Sequence, residues 1–173
     1  MSLHLSGERL ILRELKQIDL PFALDVYNSN PGYNLLRNGE SSVTLEEVQA
    51  EYDFALSIPT GYWLALCARD KLIGIMHLIV SNPADQKSWI SMLLLHADYQ
   101  QQGFGKEAVC LVEQHCIEAG SRNIHHGVIA QNEQALLFWG RLGYEQYRQV
   151  QAPVGRLTQP VLLVAKWLED NAQ

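Results

Sequence analysis

The sequence has little of what membrane-spanning and secreted proteins usually carry. No apolar run is long enough to cross a bilayer, and the first residues, Met1 to His4, lack the charged and apolar regions of a signal peptide. The three cysteines, Cys67, Cys110 and Cys116, are odd in number and show no Cys-x-x-Cys spacing. We therefore expect a cytoplasmic protein whose cysteines are reduced and lie in the core or at its boundary.

Charged residues are also scarce, at 18% of the chain, and the formal net charge is −6. There is no global excess of basic residues of the kind that binds nucleic acid. His125 and His126 are adjacent on a predicted strand and would point to opposite faces of the sheet, so no metal site is expected. Hydrophobic residues make up 47% of the sequence, which is typical of a globular protein. The length of 173 residues predicts one domain over 1–173.

One stretch, Trp89–Ala119, organises the rest of the chain. An apolar run of strand length ends at Leu95, a polar turn follows, and Gly103-Phe104-Gly105 opens a predicted helix. The free N–H groups and the positive end of the dipole at a helix start both attract phosphate. Glycine lets a phosphate approach the backbone, or allows a φ angle that other residues avoid. Lys106 can add a positive charge.

The remaining segments predict strands and helices in a mixed order. Three successive strands joined by short turns imply an antiparallel meander, and the helix after Gly105 must cross over to a parallel strand at 123–129. We expect an α/β fold with a mixed, strongly twisted sheet of about seven strands and helices on both faces. The predicted strands cover 8–14, 62–68, 72–80, 88–95, 123–129, 146–150 and 160–167, and helices begin at Asp19, Thr44, Gly105 and Asn132, with 33–42 irregular.

Two motifs resemble the signatures of the GNAT-type N-acetyltransferase superfamily. Gln100-x-x-Gly103-x-Gly105, directly after a strand, resembles its pyrophosphate-binding signature. Asn-x-x-Ala-x-x-Phe-aromatic-x-x-Leu-Gly-aromatic, from Asn132 to Tyr144, is similar to its second signature. Both motifs rarely occur by chance in this order with a strand between them. The resemblance extends over roughly Glu8 to Trp167.

The resemblance implies an acetyl-CoA-dependent N-acetyltransferase in which a primary amine of a small molecule, protein or peptide attacks directly in a ternary complex. Acetyl-CoA would be the acyl donor, and no metal, nucleic acid or membrane partner is implied. The resemblance leaves open whether the protein forms a homodimer. The strand end would pair with the pantetheine arm and donate to the oxyanion. The implied cofactor contacts are Leu93, Leu94, Leu95, Gln100, Gln101, Gln102, Gly103, Phe104, Gly105, Lys106, Asn132, Ala135 and Phe138. Candidates for acceptor contact are Tyr33, Asn34 and Arg37, which a solvated loop explains equally well.

The catalytic residues do not carry over from the resemblance. The position that often holds a proton-donating tyrosine is Trp139, whose indole N–H cannot act as a general acid. A position that holds a glutamate base in one branch is Gly127. The remaining candidates are His77, His96 and His126 as bases, and Tyr144 and Tyr147 as proton donors.

Two other functions stay open at the level of the sequence. Trp139 and Gly127 suggest a catalytically weak module that binds or senses acyl-CoA. Gly103-x-Gly105-x-x-Ala108 also fits a relaxed dinucleotide-binding fingerprint. That function needs an acidic residue at the end of the next strand, and 123–129 contains none, so we rank it last.

Overall fold

The computed structural model describes residues 2–169. The described strands form one sheet in the order β1-β2-β3-β4-β5-β6-β8-β7. They are β1 (His4–Ser6), β2 (Ile11–Glu14), β3 (Gly61–Ala68), β4 (Lys71–Ile79), β5 (Ser88–Leu95), β6 (Asn123–Ile129), β7 (Glu145–Val154) and β8 (Leu157–Trp167). The α-helices are α1 (Leu20–Asn28), α2 (Pro31–Asn38), α3 (Leu45–Ser57), α4 (Phe104–Glu118) and α5 (Glu133–Arg141). None of the helices in this range is long and apolar enough to cross a membrane.

The strand order confirms the predicted mixed sheet. Neighbouring strands are antiparallel except for β5 and β6, which are parallel and joined through α4. The sheet has eight strands rather than about seven, because β1 pairs with β2 through His4 and Arg13. A three-residue edge strand is too short to show a periodic pattern, so the sequence did not indicate it.

Helices cover both faces of the sheet, as predicted. Trp63 and Ala65 of β3 pack with α1 and α3, whereas Leu64 and Leu66 pack with α4 and α5, because alternate side chains of a strand point to opposite faces. Cys110 is exposed, so the expectation of a core or boundary position is wrong for this cysteine. α4 packs on the sheet through a buried apolar stripe of Ala108, Val109, Val112 and Cys116.

Two of the predicted helix starts are confirmed in detail. The Thr44 hydroxyl accepts the N–H of Glu47 over 3.3 Å, and the Glu47 carboxylate accepts the N–H of Thr44 over 2.7 Å. These two bonds form a capping box at the predicted start of α3. The side-chain oxygen of Asn132 accepts the N–H of Ala135 over 3.2 Å, which caps α5.

Two local predictions are wrong. Asp19 does not cap α1 with its side chain, because its carboxylate accepts from Arg13 and from the N–H of Lys16 and closes the preceding turn. The stretch 33–42 is not irregular, since α2 occupies most of it. Pro31 lies in the first turn of α2, where its missing N–H costs nothing.

Candidate active site

A fork in the sheet separates β5 from β6. The two strands pair only at 88–89 of β5 and 124–125 of β6. At the next position, the ring Nδ1 of His126 lies 2.5 Å from the carbonyl oxygen of Ile90. A side chain thus takes the hydrogen bond that a continued strand pair would form, and the two strands separate beyond it.

The part of β5 beyond the fork presents an open backbone edge. The β4–β5 register shifts between His77 and Leu78, and such bulges are frequent next to active sites. The Leu94 carbonyl oxygen faces β4. Because the backbone direction alternates along an antiparallel ladder, the N–H and C=O groups of Leu93 and Leu95 face the gap. An extended molecule could pair with this edge as a strand would.

The Gln100 side chain is turned toward the end of β5. Its Nε2 donates to the carbonyl oxygen of Leu95 over 3.0 Å and to the side-chain oxygen of Asn30 over 2.6 Å. The Asn30 amide also donates to the Leu95 carbonyl, over 2.9 Å. Gln100 therefore ties the turn after β5 to the strand end and to the start of α2, and the Leu95 carbonyl is already occupied.

Residues 101–106 form the start of α4, which we call the α4 cradle. Gly103 is its N-cap and has φ +85°, a conformation that residues with a Cβ rarely adopt. Gly105 is buried, and glycine is needed there for a different reason. A Cβ at this position would lie 3.2 Å from the Phe138 ring. Gln101 and Lys106 are exposed beside the free N–H groups of the first turn. The cradle can therefore hold an anion.

Arg9 lies against the α4 cradle, and the sequence analysis did not single it out. Its Nη1 donates to the carbonyl oxygen of Gln102 over 2.8 Å, and its guanidinium carbon is 4.3 Å from the centre of the Phe104 ring. Glu107 accepts the backbone N–H groups of Arg9 and Leu10 over 2.7 and 2.9 Å, and Arg9 Nε over 3.1 Å. The loop before β2 thus brings a second cation to the cradle. Such a contact between distant segments leaves no local sequence pattern.

α5 lies beside the α4 cradle, so the fold brings the two sequence motifs together. Phe138 packs against the backbone of Gly105. Ala135 is half-buried on the same helix. The side-chain oxygen of Asn132 is used by the helix cap, and no contact among residues 2–169 uses its amide N–H₂. That amide is available to a ligand.

The candidate acceptor residues divide into two groups. Arg37 Nη2 donates to Glu51 Oε1 over 2.8 Å, and its guanidinium carbon is 5.7 Å from the Tyr33 ring centre. Asn34 is fully buried and donates to two backbone carbonyl oxygens over 2.9 and 3.1 Å. Asn34 therefore braces α2, while Tyr33 and Arg37 belong to a polar cluster with Glu51. Glu51 was not among the predicted site residues, because one glutamate on an amphipathic helix gives no signal of its own.

The β7–β8 hairpin reaches α2 and α3 from the opposite half of the sheet. The N–H of Arg156 donates to the carbonyl oxygen of Arg37 over 3.1 Å. The Arg156 side chain forms salt bridges with Glu40 and Glu47. At Gly155, a Cβ would lie 2.8 Å from the Arg37 carbonyl oxygen, so only glycine allows this approach. The hairpin therefore connects the two halves of the sheet on the α2 side.

The sequence matches one model of a protein family. The model described as "Acetyltransferase (GNAT) family" matches residues 25–144, which include the open edge of β5, the α4 cradle and α5. The chain belongs to the GNAT acetyltransferase family. The matched range contains both motifs that the sequence analysis used, so the resemblance stated there is confirmed.

Solved structures share the fold of this GNAT family member at low sequence identity. An acetyltransferase from Thermus thermophilus is 22% identical, with a TM-score of 0.74 over 96% of this chain and 100% of that one. An acetyltransferase from Salmonella typhimurium that modifies the N-terminal serine of the ribosomal protein L7/L12 is 13% identical, with a TM-score of 0.77 over 94% and 97%. Spermidine N-acetyltransferase from Vibrio cholerae, solved with CoA and spermine, is 18% identical, with a TM-score of 0.71 over 94% and 97%. No curated protein matches the chain.

In this GNAT family member, the core contains both Trp139, at the position that often holds a proton-donating tyrosine, and the candidate donor Tyr144. Trp139 is 3% exposed, and its ring centre is 4.2 Å from that of His126 and 4.8 Å from that of Tyr144. The Tyr144 hydroxyl donates to Glu113 over 2.9 Å, and Lys166 Nζ lies 3.1 Å from the same carboxylate. Burial, together with the Glu113 charge, raises the pKa of Tyr144. The structure therefore gives Tyr144 a packing role and does not support it as a proton donor.

The other candidate bases and donors also lie in different places. Burial lowers the pKa of both His126 and His77 to about 4, so each is neutral at pH 7. His96 caps the short turn at 97–99. The Tyr147 hydroxyl lies 2.9 Å from a ring nitrogen of His125, on the outer strand of the sheet. Of these residues, only His77 lies beside the polar cluster of Arg37 and Glu51.

We predict that acid destabilises the protein through its buried histidines. The folded-state pKa of about 4 for His77 and His126 lies below the ordinary value of 6.5. Below pH 6.5 the unfolded chain binds protons that the folded chain does not, so the free energy of unfolding falls until the pH reaches about 4. The slope is at most about 1.4 kcal/mol per pH unit for each histidine. Urea denaturation at several pH values across this window measures it.

His126→Gln provides the comparison for this pH effect. Glutamine retains an N–H that can donate to Ile90 but does not titrate. We expect the variant to lose part of the pH dependence while β5 and β6 keep their fork. Equal stability of the wild-type protein at both ends of the window would contradict the prediction.

Proposed function

We propose that this protein is an acetyl-CoA-dependent N-acetyltransferase that acetylates a primary amine of a small molecule, protein or peptide. The amine would attack the thioester directly in a ternary complex. The observation that carries the proposal is the continuity of two features: the open edge of β5 runs into the turn that leads to the α4 cradle. One extended thioester cofactor can therefore lie along the edge with its phosphates at the cradle.

The residues of the cradle fit a pyrophosphate. Gly103 at φ +85° exposes backbone N–H groups without a Cβ, and Arg9 and Lys106 add positive charge. The backbone of Leu93 would pair with the pantetheine arm. The amide of Asn132 would donate to the same arm. Phe138 and Ala135 would form the neighbouring wall, while Gln100 holds the turn in place.

Acetyl-CoA supplies an activated thioester, and the protein orients the two reactants around it. The backbone N–H of Leu93 faces the gap and can donate to the oxyanion of the tetrahedral intermediate. A thiolate is a tolerable leaving group near neutral pH, since a thiol has an ordinary pKa of about 8.5. Because Trp139 and Tyr144 are buried, we assign no side-chain proton donor, and the reaction relies on positioning.

A weak acyl-CoA-binding module is the second candidate function. Its support is the core position of Trp139, which leaves no tyrosine hydroxyl at the place where many relatives of this superfamily would have one. The decisive experiment combines two measurements on the wild-type protein: calorimetric binding of CoA, and release of free CoA thiol from acetyl-CoA with spermine, L-lysine or a peptide with an N-terminal serine. Turnover supports the transferase. Binding without turnover supports the module, and absence of CoA binding would contradict both.

Asn132→Asp tests the cofactor arm. Asp caps a helix as well as Asn does, so we expect the melting temperature without ligand to change little. The carboxylate cannot donate a hydrogen bond, so the rise in melting temperature caused by acetyl-CoA should shrink. Asn132→Ser, which also caps a helix but adds no charge, should show the same reduction. A full ligand-induced shift in both variants would leave Asn132 with the capping role alone.

A further inference from the structure

A polar cluster lies on the α1 and α3 side of the sheet, next to the open edge of β5. Glu51 of α3 is its centre, since Arg37 Nη2 donates to Oε1 over 2.8 Å and the Tyr27 hydroxyl donates to Oε2. The same hydroxyl lies 3.1 Å from the Sδ atom of Met92. Met92 directly precedes Leu93, whose backbone faces the gap. The Glu51 carboxylate is therefore close to the part of β5 that would hold the acyl end.

The Glu51 carboxylate is oriented but not enclosed. Its side chain is 35% exposed, whereas that of Arg37 is 9% exposed. Arg37 and Tyr27 each bind one carboxylate oxygen, and the accessible side stays free for another group. The aromatic rings of Tyr27 and Tyr33 lie 5.5 and 5.7 Å from the guanidinium carbon of Arg37. These rings hold the Arg37 cation, and the exposed side of the Glu51 carboxylate, which Arg37 and Tyr27 fix in place, suits a positively charged hydrogen-bond donor.

Buried polar atoms nearby have no hydrogen-bond partner within residues 2–169. They include Nε of Arg37, Nε1 of Trp63 and Nε2 of His77. Trp63 lies opposite His77, and His77 lies opposite Met92, so these side chains form one row across β3, β4 and β5. Trp63 is only 3% exposed, and a buried donor without a partner needs a ligand or water to satisfy it. Water or a polar group of a ligand can satisfy these atoms.

We propose that Glu51 recognises the amine acceptor, an inference that rests on the proposed acetyl transfer. Its carboxylate accepts hydrogen bonds from the reacting nitrogen and stabilises the positive charge that this nitrogen gains during attack. As the N–C bond forms and the C–S bond breaks, the sulfur leaves as thiolate with the bonding electron pair. The bound ammonium releases one proton to water before it attacks as the neutral amine, and the nitrogen releases a second proton to water as the amide forms. The acceptor class that fits is an aliphatic primary amine, which is cationic when free at neutral pH.

Glu51→Gln tests this assignment. Glutamine is nearly the same size and can still accept from Tyr27, but it lacks the negative charge. With acetyl-CoA and the most active amine among spermine, L-lysine and the serine peptide, we expect kcat/KM for the amine to fall by about 10- to 100-fold. The Kd for CoA, measured by calorimetry, should stay within about twofold of the wild-type value, because the α4 cradle is a separate part of the molecule.

Glu46→Gln is the matched control. Glu46 lies on the same helix, is exposed, and its substitution changes the net charge by the same amount. We expect it to leave kcat/KM unchanged. Equal losses in both variants would indicate a general charge effect and would overturn the assignment, as would a folded Glu51→Gln variant with wild-type kcat/KM.

A structural alternative assigns Glu51 only to the neutralisation of buried Arg37. On that view, Glu51→Gln lowers the melting temperature and leaves kcat/KM of the folded protein unchanged.

If Glu51→Gln does not fold, Tyr27→Phe replaces it, because it keeps the ring and the Glu51 charge but removes one donor that orients the carboxylate. We expect a smaller fall in kcat/KM with unchanged CoA affinity, and an unchanged kcat/KM would overturn the assignment. A wild-type protein that binds CoA but acetylates none of the three amines would overturn the proposed transferase and this inference together.

Discussion

Gly103→Val is expected to remove measurable CoA binding from a protein that stays folded. At φ +85° a residue with a β-branched side chain has a strained backbone. A change of φ that relieves this strain would rotate the N–H groups of the α4 cradle away from the ligand. Losing two charge-assisted hydrogen bonds costs roughly 3 kcal/mol or more, which corresponds to at least about a 100-fold rise in Kd. Isothermal titration with CoA measures the loss. The strain itself is about 1–2 kcal/mol, less than the usual stability of a domain.

Gly120→Val separates ligand binding from backbone strain. Gly120 follows the other end of α4 and has φ +88°, and a Cβ there would have no heavy atom of another residue within 4 Å, apart from its chain neighbours. Both substitutions should lower the melting temperature by similar amounts, because they impose the same kind of strain. Only Gly103→Val should weaken CoA binding. Wild-type CoA affinity in folded Gly103→Val, or an equal loss in Gly120→Val, would remove the basis for a phosphate site at the cradle.

Gly105 shows how a correct motif can have an incomplete physical explanation. The sequence analysis attributed both glycines to the approach of a phosphate or to an unusual φ angle. The structure supports the second reason for Gly103, but Gly105 is small because the Phe138 ring packs against it. A spacing pattern identifies which positions must be glycine. It does not tell whether the ligand, the backbone angle or a neighbouring side chain requires it.

The centre of the fold could be predicted because its signals are local. The predicted strands 88–95 and 123–129 agree with β5 and β6 at both ends. The first is largely apolar, and the second lies between the helix that ends before Gly120 and the helix that Asn132 caps. The capping box at Thr44 and the cap at Asn132 depend on residues three apart, and both are present. The crossover from β5 through α4 to β6 follows from short connections and chain handedness.

Tyr33 and Arg37 were named as candidates, but the charges that surround them could not be predicted because their contacts join distant segments. Glu51 meets Arg37 across two helices, Arg9 meets the start of α4, and Arg156 crosses from the β7–β8 hairpin to α3. No hydrophobic period or short motif records which of these charges will meet. The sequence also concealed α2, since the turn formers before Pro31 indicate a break where a second helix begins immediately.

The fork explains how one sheet can serve two reactants. In the proposed function, the cofactor would lie along the cradle and the edge of β5, whereas the Glu51 cluster lies on the face covered by α1 and α3. His126 holds the branching point through Ile90, so the gap is maintained by a specific hydrogen bond rather than by missing residues. In the proposed arrangement, an amine on the Glu51 side would approach an acyl group on the edge without displacing the cofactor.

Trp139→Ala is expected to be the most destabilising substitution considered for this protein. The indole is 3% exposed and contacts the rings of Phe138, His126 and Tyr144, whose centres lie 5.1, 4.2 and 4.8 Å away. Removing a buried aromatic ring leaves a cavity and costs about 3–5 kcal/mol. Urea denaturation measures the change. Trp139→Tyr should cost about 1–3 kcal/mol, because it alters shape and buries a hydroxyl in the core.

Leu137→Ala is the control on the same helix, since Leu137 is 59% exposed and its loss should change stability by less than about 0.5 kcal/mol.

Turnover distinguishes the packing role of Trp139 from a catalytic one. If the position were a vacant proton-donor site, Trp139→Tyr would raise turnover despite its lower stability. We expect no gain, because the new hydroxyl would lie in the core rather than at the edge of β5. Increased turnover in Trp139→Tyr would therefore contradict the packing role and return this position to the catalytic site. A collapse of turnover with stability intact would instead give the indole a direct part in the reaction.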